Sequence, residues 1–292
     1  MWRIVGSGRA TRRPAASIPS AETGRPTRRR LVQQMAGAAA AALAPSAVRA
    51  APALPQPDTL EPGVLRIGTY FVNPPFEFIA DGKKVGFEVD LLDEIAQQLG
   101  LRPDFVDTRW ETILQEMQER RYDCIVGGIT ITPERRRTLA WSEPYMTTTL
   151  SLVVDAAASP PGTTLDDLRG ARVGVQAATT DYDAALAMQK AGRIGEVKVY
   201  PFAQIADAMS DLTAGRVKAV MKVYPVAAWF VRRTPTLRIL AQVPDDPQPL
   251  GIGFSPGTAG SINSLMVAVD AALADMQRDG RYAAIAQRWD LA

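Results

Sequence analysis

The chain has 292 residues, enough for one large domain or two of roughly 100–150 residues each, with an ordinary globular balance of 47% hydrophobic and 22% charged side chains. Its net charge of +2 is unevenly placed: residues 1–50 hold nine arginines and one glutamate, for +8, and the remainder holds 24 basic and 30 acidic side chains, for −6. An acidic body argues against nucleic acid or an anionic membrane surface as partner, and the absence of histidine removes Ser-His-Asp and Cys-His catalysis and imidazole-ligated metals; no metal site and no cofactor are expected.

In chain order, residues 1–50 read as a cleavable export signal, on the evidence of residues 27–50. Arginines precede an apolar run of about nine residues, 35–43, far short of the ~20 that span a bilayer, and small residues follow it. Val48-Arg49-Ala50 is the first choice of cleavage box and Ala51-Pro52-Ala53 the second. The stretch Thr27 to Gln33 resembles the twin-arginine export motif, with leucine and glutamine where phenylalanine and lysine are usual; the general secretory route stays open. A proline-rich linker, 51–63, leads into the body.

The body reads as strand 64–69, a Pro-containing loop, helix 89–99 ended by Gly100, strand 103–106, helix 110–119 and strand 122–126. The single cysteine, Cys124, falls in the last of these and reads as a buried strand residue. The pattern restarts with strand 171–175, a helix near 181–191, strand 197–200, helix 203–214 and strand 217–221. One or two amphipathic helices fill 261–290. Such βαβα alternation implies two doubly wound α/β lobes. Apolar runs 148–153 and 250–254 are candidate crossing strands, which places lobe 1 at 64–149 plus 250–292 and lobe 2 at 150–249, joined by a two-strand hinge.

The densest polar signal is Gly127-Gly128-Ile129-Thr130-Ile131-Thr132-Pro133-Glu134-Arg135-Arg136-Arg137. Glycines at a strand end admit close backbone approach, Thr132 suits a helix N-cap and Pro133 the first helical position. Arg135 then stands in the first turn, at a strand's carboxyl end, where a guanidinium fork can hold a carboxylate. Arg136 and Arg137 read as a solvated face.

With LRIGTYFVNPPFEF, VGFEVDLLDEIAQQLG, GITITPERR, WSEPY and GVQAATT in this order, residues 64–290 resemble the periplasmic solute-binding proteins of polar amino-acid ABC transporters, solute-binding protein family 3. The resemblance implies the two-lobed, type II periplasmic binding protein fold. It implies a monomeric, non-enzymatic protein of the periplasm that presents a small carboxylate solute to an inner-membrane permease. Within that resemblance Arg135 grips the ligand carboxylate, Thr130 contributes a bond and Gly128 offers its carbonyl. Gln176, Thr179 and Thr180 belong to the second lobe's cradle; Trp110 lies over the ligand and Phe76 at the other wall, and Tyr70 and Asn73 tune selectivity. The chain departs from the family at Val223, preceded by Lys222, where amino-acid binders carry an aspartate for the ligand ammonium. Three readings stay open: Asp181 or Asp183 replaces that aspartate; the ligand lacks the amine and Lys222 faces a second polar or anionic group; or Lys222 points to solvent in a shifted alignment. The alternatives in function are a dehydratase acting on prephenate-type acids, with Glu77, Glu143 or Asp181 as general acid, and an accessory or sensor binding module.

Overall fold

A computed structural model describes residues 57–157, 164–257 and 263–291. The export signal, its cleavage boxes and the first part of the linker lie outside these residues. From Leu54 onward the chain forms one unit.

The first lobe begins with β1 (Val64–Thr69), then a small antiparallel sheet of β2 (Val72–Asn73), β3 (Glu77–Ala80) and β4 (Lys83–Val85). Next come α1 (Phe87–Gln98), β5 (Arg102–Asp107), α2 (Trp110–Gln118), β6 (Cys124–Ile125), the single turn α3 (Pro133–Arg136) and β7 (Ala140–Trp141). β8 (Met146–Asp155) leads into the second lobe, which holds β9 (Arg172–Gln176), α4 (Thr180–Lys190), β10 (Glu196–Tyr200), α5 (Ile205–Thr213), β11 (Ala219–Val223) and α6 (Tyr224–Arg233), and β12 (Leu237–Leu250) leads back. The chain then returns to the first sheet with β13 (Gly253–Phe254) and closes with α7 (Ser264–Asp279) and α8 (Arg281–Arg288).

Each lobe is built on a five-stranded mixed sheet, in the orders β5-β1-β6-β13-β7 and β10-β9-β11-β8-β12. In each, three parallel strands carry the helical crossovers, the fourth runs against them, and the outermost, paired antiparallel to the fourth, runs with them again. Strand alternation explains the two covered faces. Cys124 and Val126 point into a core shared with α1, α7 and α8, whereas Ile125 between them meets Ile113 and Met117 of α2. In the second lobe Met221 faces Ala185 and Met188 of α4, and Val220 faces Ala208 and Leu212 of α5.

Two segments link the lobes. β8 and β12 pair antiparallel as far as Leu250 opposite Met146, and Leu250 bridges to Thr130 of the first lobe. The expected crossing run 250–254 is therefore corrected: the linking strand is β12, which ends at Leu250, while Gly253–Phe254 already belongs to the first sheet. The small sheet and α6 went unread. Strand residues 77–80 are too short to show a period, and the apolar run through Val223 and Tyr224 conceals the change from strand to helix that Pro225 marks at the helix start.

Candidate functional site

Between the lobes the carboxyl ends of β1, β6, β9, β10 and β11 converge on a cleft lined by Tyr70, Asn73, Trp110, Gly127, Gly128, Thr130, Arg135, Thr179, Thr180, Asp181, Phe202, Lys222 and Val223. Its free space is about 30 Å3, on the order of one or two water molecules.

In the first lobe, Thr132 caps α3 by accepting from the Arg135 amide at 3.2 Å, and Pro133 starts the helix. This fixes Arg135 so that its Nη1 donates to the Thr130 carbonyl at 2.8 Å and its guanidinium lies 5.0 Å from the Trp110 ring centroid. Burial lowers the Arg135 pKa, with Tyr70 and Asp183 acting in the opposite direction, yet a guanidinium stays charged. The cleft thus receives a fixed positive charge with one edge already oriented. Thr130, 5% exposed, donates its hydroxyl to Gln248 of β12 at 3.1 Å, tying a cleft residue to the linking strand.

Gly127 and Gly128 both have positive φ, 154° and 60°. A Cβ on Gly127 would stand 2.2 Å from the Tyr70 hydroxyl, which itself donates to the Gly127 carbonyl, so no larger residue fits. The Asn73 amide shares that carbonyl at 3.2 Å, and the Gly128 amide is turned back to the Glu88 carboxylate at 2.9 and 3.1 Å.

From the second lobe, α4 aims its N-terminus at the cleft. Thr179 is its cap, accepting from the Tyr182 amide at 3.3 Å and donating to the Gln176 carbonyl at 2.8 Å. The amides of Thr180 and Asp181 have no intrahelical carbonyl to reach, which makes this end an anion site by geometry and dipole. Lys222 and Asp181 meet as a buried ion pair, Nζ to Oδ2 2.8 Å, with side chains 4% and 1% exposed. Of the open readings for Lys222, the solvent-facing one is thereby overturned. Val223 closes the floor as the residue before α6.

Aromatic rings bridge the lobes. Phe202 stacks on Trp110 with centroids 5.2 Å apart and meets Tyr70 edge-on at 4.7 Å. The Trp110 Nε1 donates across to the Ala177 carbonyl at 3.1 Å.

Ten of the twelve residues singled out from sequence line the cleft: Arg135, Thr130, Gly128, Thr179, Thr180, Trp110, Tyr70, Asn73, Lys222 and Val223. Two are corrected. Phe76 is fully buried beside Phe87, behind Gly128, because its loop folds inward to cover the start of α1. Gln176 is off the lining; its side-chain amide donates to the Phe202 carbonyl and so holds that ring in place. Phe202 itself was missed, although it follows the carboxyl end of β10, the position that singled out Arg135. Of the two aspartates weighed as replacements, Asp181 is on the lining and Asp183 is not.

The family model of bacterial extracellular solute-binding proteins, family 3, matches residues 65–291. The L-cystine-binding protein TcyJ of Escherichia coli is 29% identical over 230 residues, covering 78% of this chain and 83% of that protein. ABC transporter arginine-binding protein 1 of the same species is 27% identical over 226 residues, covering 77% and 90%. Among solved structures, an ancestral arginine-binding protein bound to arginine superposes with a TM-score of 0.69 at 31% identity, covering 78% of this chain and 98% of that one. An ancestral amino acid-binding protein described as a precursor of cyclohexadienyl dehydratase gives 0.69 at 30% identity, covering 78% and 95%. The match spans both lobes and every cleft residue, and the chain belongs to the bacterial extracellular solute-binding proteins of family 3.

Proposed function

We propose that this protein is the solute-binding component of an ABC transporter and takes a small carboxylate-bearing solute between its lobes. The observation that carries the reading is convergence: a buried, oriented guanidinium from one lobe and the N-terminus of an eleven-residue helix from the other face one small cleft. A carboxylate held from both sides stabilises the closed arrangement, since only there does it meet both partners. Lobe 1 comprises residues 64–149 and 250–292 and lobe 2 residues 150–249. Relatives named as transporter-linked amino-acid binders support a permease as the macromolecular partner. One chain supplies both walls of the cleft, which supports action as a monomer. The basic leader and the family's extracellular character support a periplasmic location, and no described helix is long and apolar enough to cross a membrane.

Binding without catalysis is the reading the carboxyl groups favour. Of the general acids weighed from sequence, Glu143 is exposed and off the lining, Glu77 is buried off the lining, and Asp181 is engaged by Lys222. Arg135→Ala is expected to weaken binding of the cognate carboxylate by about 2–5 kcal/mol, which takes a micromolar dissociation constant to between about 30 μM and 5 mM. Calorimetry that finds the affinity retained removes Arg135 from the site and the reading with it.

A further inference from the structure

We propose that Lys222 is a built-in ammonium that occupies the cleft's carboxylate, Asp181, and so makes the site select amine-free carboxylates over α-amino acids. The proposal rests on the reading of the cleft as a carboxylate site and names the class of carboxylate it takes.

Among the described residues lining the cleft, the charged side chains are Arg135, Lys222 and Asp181. Their sum is one positive charge, which complements a monoanion. A zwitterion brings a second charge, an ammonium, that needs an acceptor of its own. Asp181 is the one lining carboxylate, and its Oδ2 already accepts from Lys222 Nζ at 2.8 Å. A ligand ammonium that joins Lys222 on Asp181 stands beside a second positive charge, one whose own side chain is 4% exposed, with Nζ 5.8 Å from the Phe202 centroid. An ammonium left unpaired in a desolvated site is strongly disfavoured, and two ammonium groups sharing one carboxylate repel each other. Glu77 offers no second acceptor on the lining, and the position after Lys222 is the apolar Val223.

The same lysine suits a different substituent. An ammonium has three donors and no acceptor, and Asp181 takes one donor. A neutral oxygen on the carbon next to the carboxylate, as in a 2-hydroxy or 2-oxo acid, can accept from another while Arg135 and α4 hold the carboxylate. The preferred ligands are therefore small monocarboxylates with oxygen, not nitrogen, at C2.

The test is calorimetry with matched monocarboxylate sets differing only at C2: L-alanine, lactate and pyruvate; L-phenylalanine, phenyllactate and phenylpyruvate; L-valine, 2-hydroxyisovalerate and 2-oxoisovalerate. The wild type is expected to prefer the amine-free members of the set it binds by on the order of a hundredfold, the scale of an unpaired buried charge. Lys222→Ala frees Asp181 for a ligand ammonium and is expected to reverse the order. The double variant Lys222→Ala/Asp181→Ala is expected to lose the acquired amino-acid binding. If Lys222→Ala fails to melt cooperatively, the wild-type ranking and Lys222→Gln decide instead. Amino-acid binding by the wild type as tight as its amine-free partners, an order unchanged by removing Lys222, or no binding of any amine-free member overturns the proposal. An amino-acid preference that still requires Arg135 sinks only the Lys222 proposal, whereas carboxylate binding that survives Arg135→Ala sinks the carboxylate-site reading beneath it.

Discussion

Two buried glutamates stand behind the cleft. Glu88 is fully buried and engaged: it accepts from the Gly128 amide and from the Tyr145 hydroxyl. Glu77, equally buried, has no donor in hydrogen-bonding geometry at either oxygen; Glu88 and Asn73 are its polar neighbours, and the Lys222 charge acts on it in the lowering direction. Burial, reinforced by the Glu88 charge, pushes the Glu77 carboxyl well above its ordinary value. A raised pKa in the fold means that the unfolded chain releases this proton first. The stability tied to protonated Glu77 is therefore fully present below the ordinary carboxyl range, about 4.3, and is lost as pH rises from there toward the raised value. Glu77→Gln, which keeps the shape and removes the proton, is expected to flatten this decline. Urea unfolding from pH 4 to pH 8 should show the variant gaining on the wild type as pH rises, and parallel curves would refute the assignment.

At the scale of elements, α1 has an unusual beginning. No side chain caps it; its first two amides donate to the carbonyls of Pro75 and Phe76 at 2.8 and 2.9 Å. That arrangement brings the loop so close that a Cβ on Gly86 would stand 2.1 Å from the Phe76 oxygen, at a φ of 141° open only to glycine. Gly86→Ala is expected to cost about 2–5 kcal/mol, combining backbone strain with a backbone clash. Chemical denaturation measures it directly, and a change below 1 kcal/mol, the scale of an ordinary glycine substitution, would contradict this account. The same element presents Glu88 to Gly128, so the strained start of α1 and the glycine turn of the cleft form one construction. In the second lobe Lys222 is the next-to-last residue of β11 and Asp181 the second of α4, which brings two residues 41 positions apart into one ion pair.

At the scale of the molecule, contacts bridge the lobes in two places. In the cleft, Trp110 and Tyr70 of one lobe meet Phe202 of the other. Beside the linking strands, Phe78 packs edge-on against Trp229 of α6 with centroids 5.1 Å apart, and Arg232 donates to the Asp290 carbonyl at 3.1 Å. With only about 30 Å3 of free space, a solute gains access when these contacts part. Ligand and lobe closure are then linked, and a ligand at 100 times its dissociation constant adds about 2.7 kcal/mol of stability. For a body of this size the expected rise in Tm is roughly 5–10 °C. Scans that follow tryptophan fluorescence read it, since Trp110 and Trp229 both lie at bridging contacts. A ligand that leaves Tm unmoved at that excess does not bind the folded protein in preference to the unfolded chain, and its assignment as the cognate solute fails.

The sequence by itself determined the alternation of strands and helices, the restart that signals two lobes, and the GITITPERR segment whose cap, proline and arginine place a guanidinium at a strand end. These are local matters, since period, cap and turn chemistry act over a few residues. Tertiary structure alone decided what depends on distant partners. The family resemblance implies cleft positions for Phe76 and Gln176, yet one fills the core behind Gly128 and the other holds Phe202 from behind. Phe202 enters the cleft because β10 ends beside β9 and aims the next residues at Trp110. Lys222 reads from sequence as a solvent-facing lysine or a ligand contact with equal ease; only the parallel packing of β11 on β9, with α4 following β9, brings it to Asp181. The choice between a free charge and a paired one belongs to the fold, because Coulomb attraction and desolvation depend on distance and burial in space, and spacing along the chain carries neither.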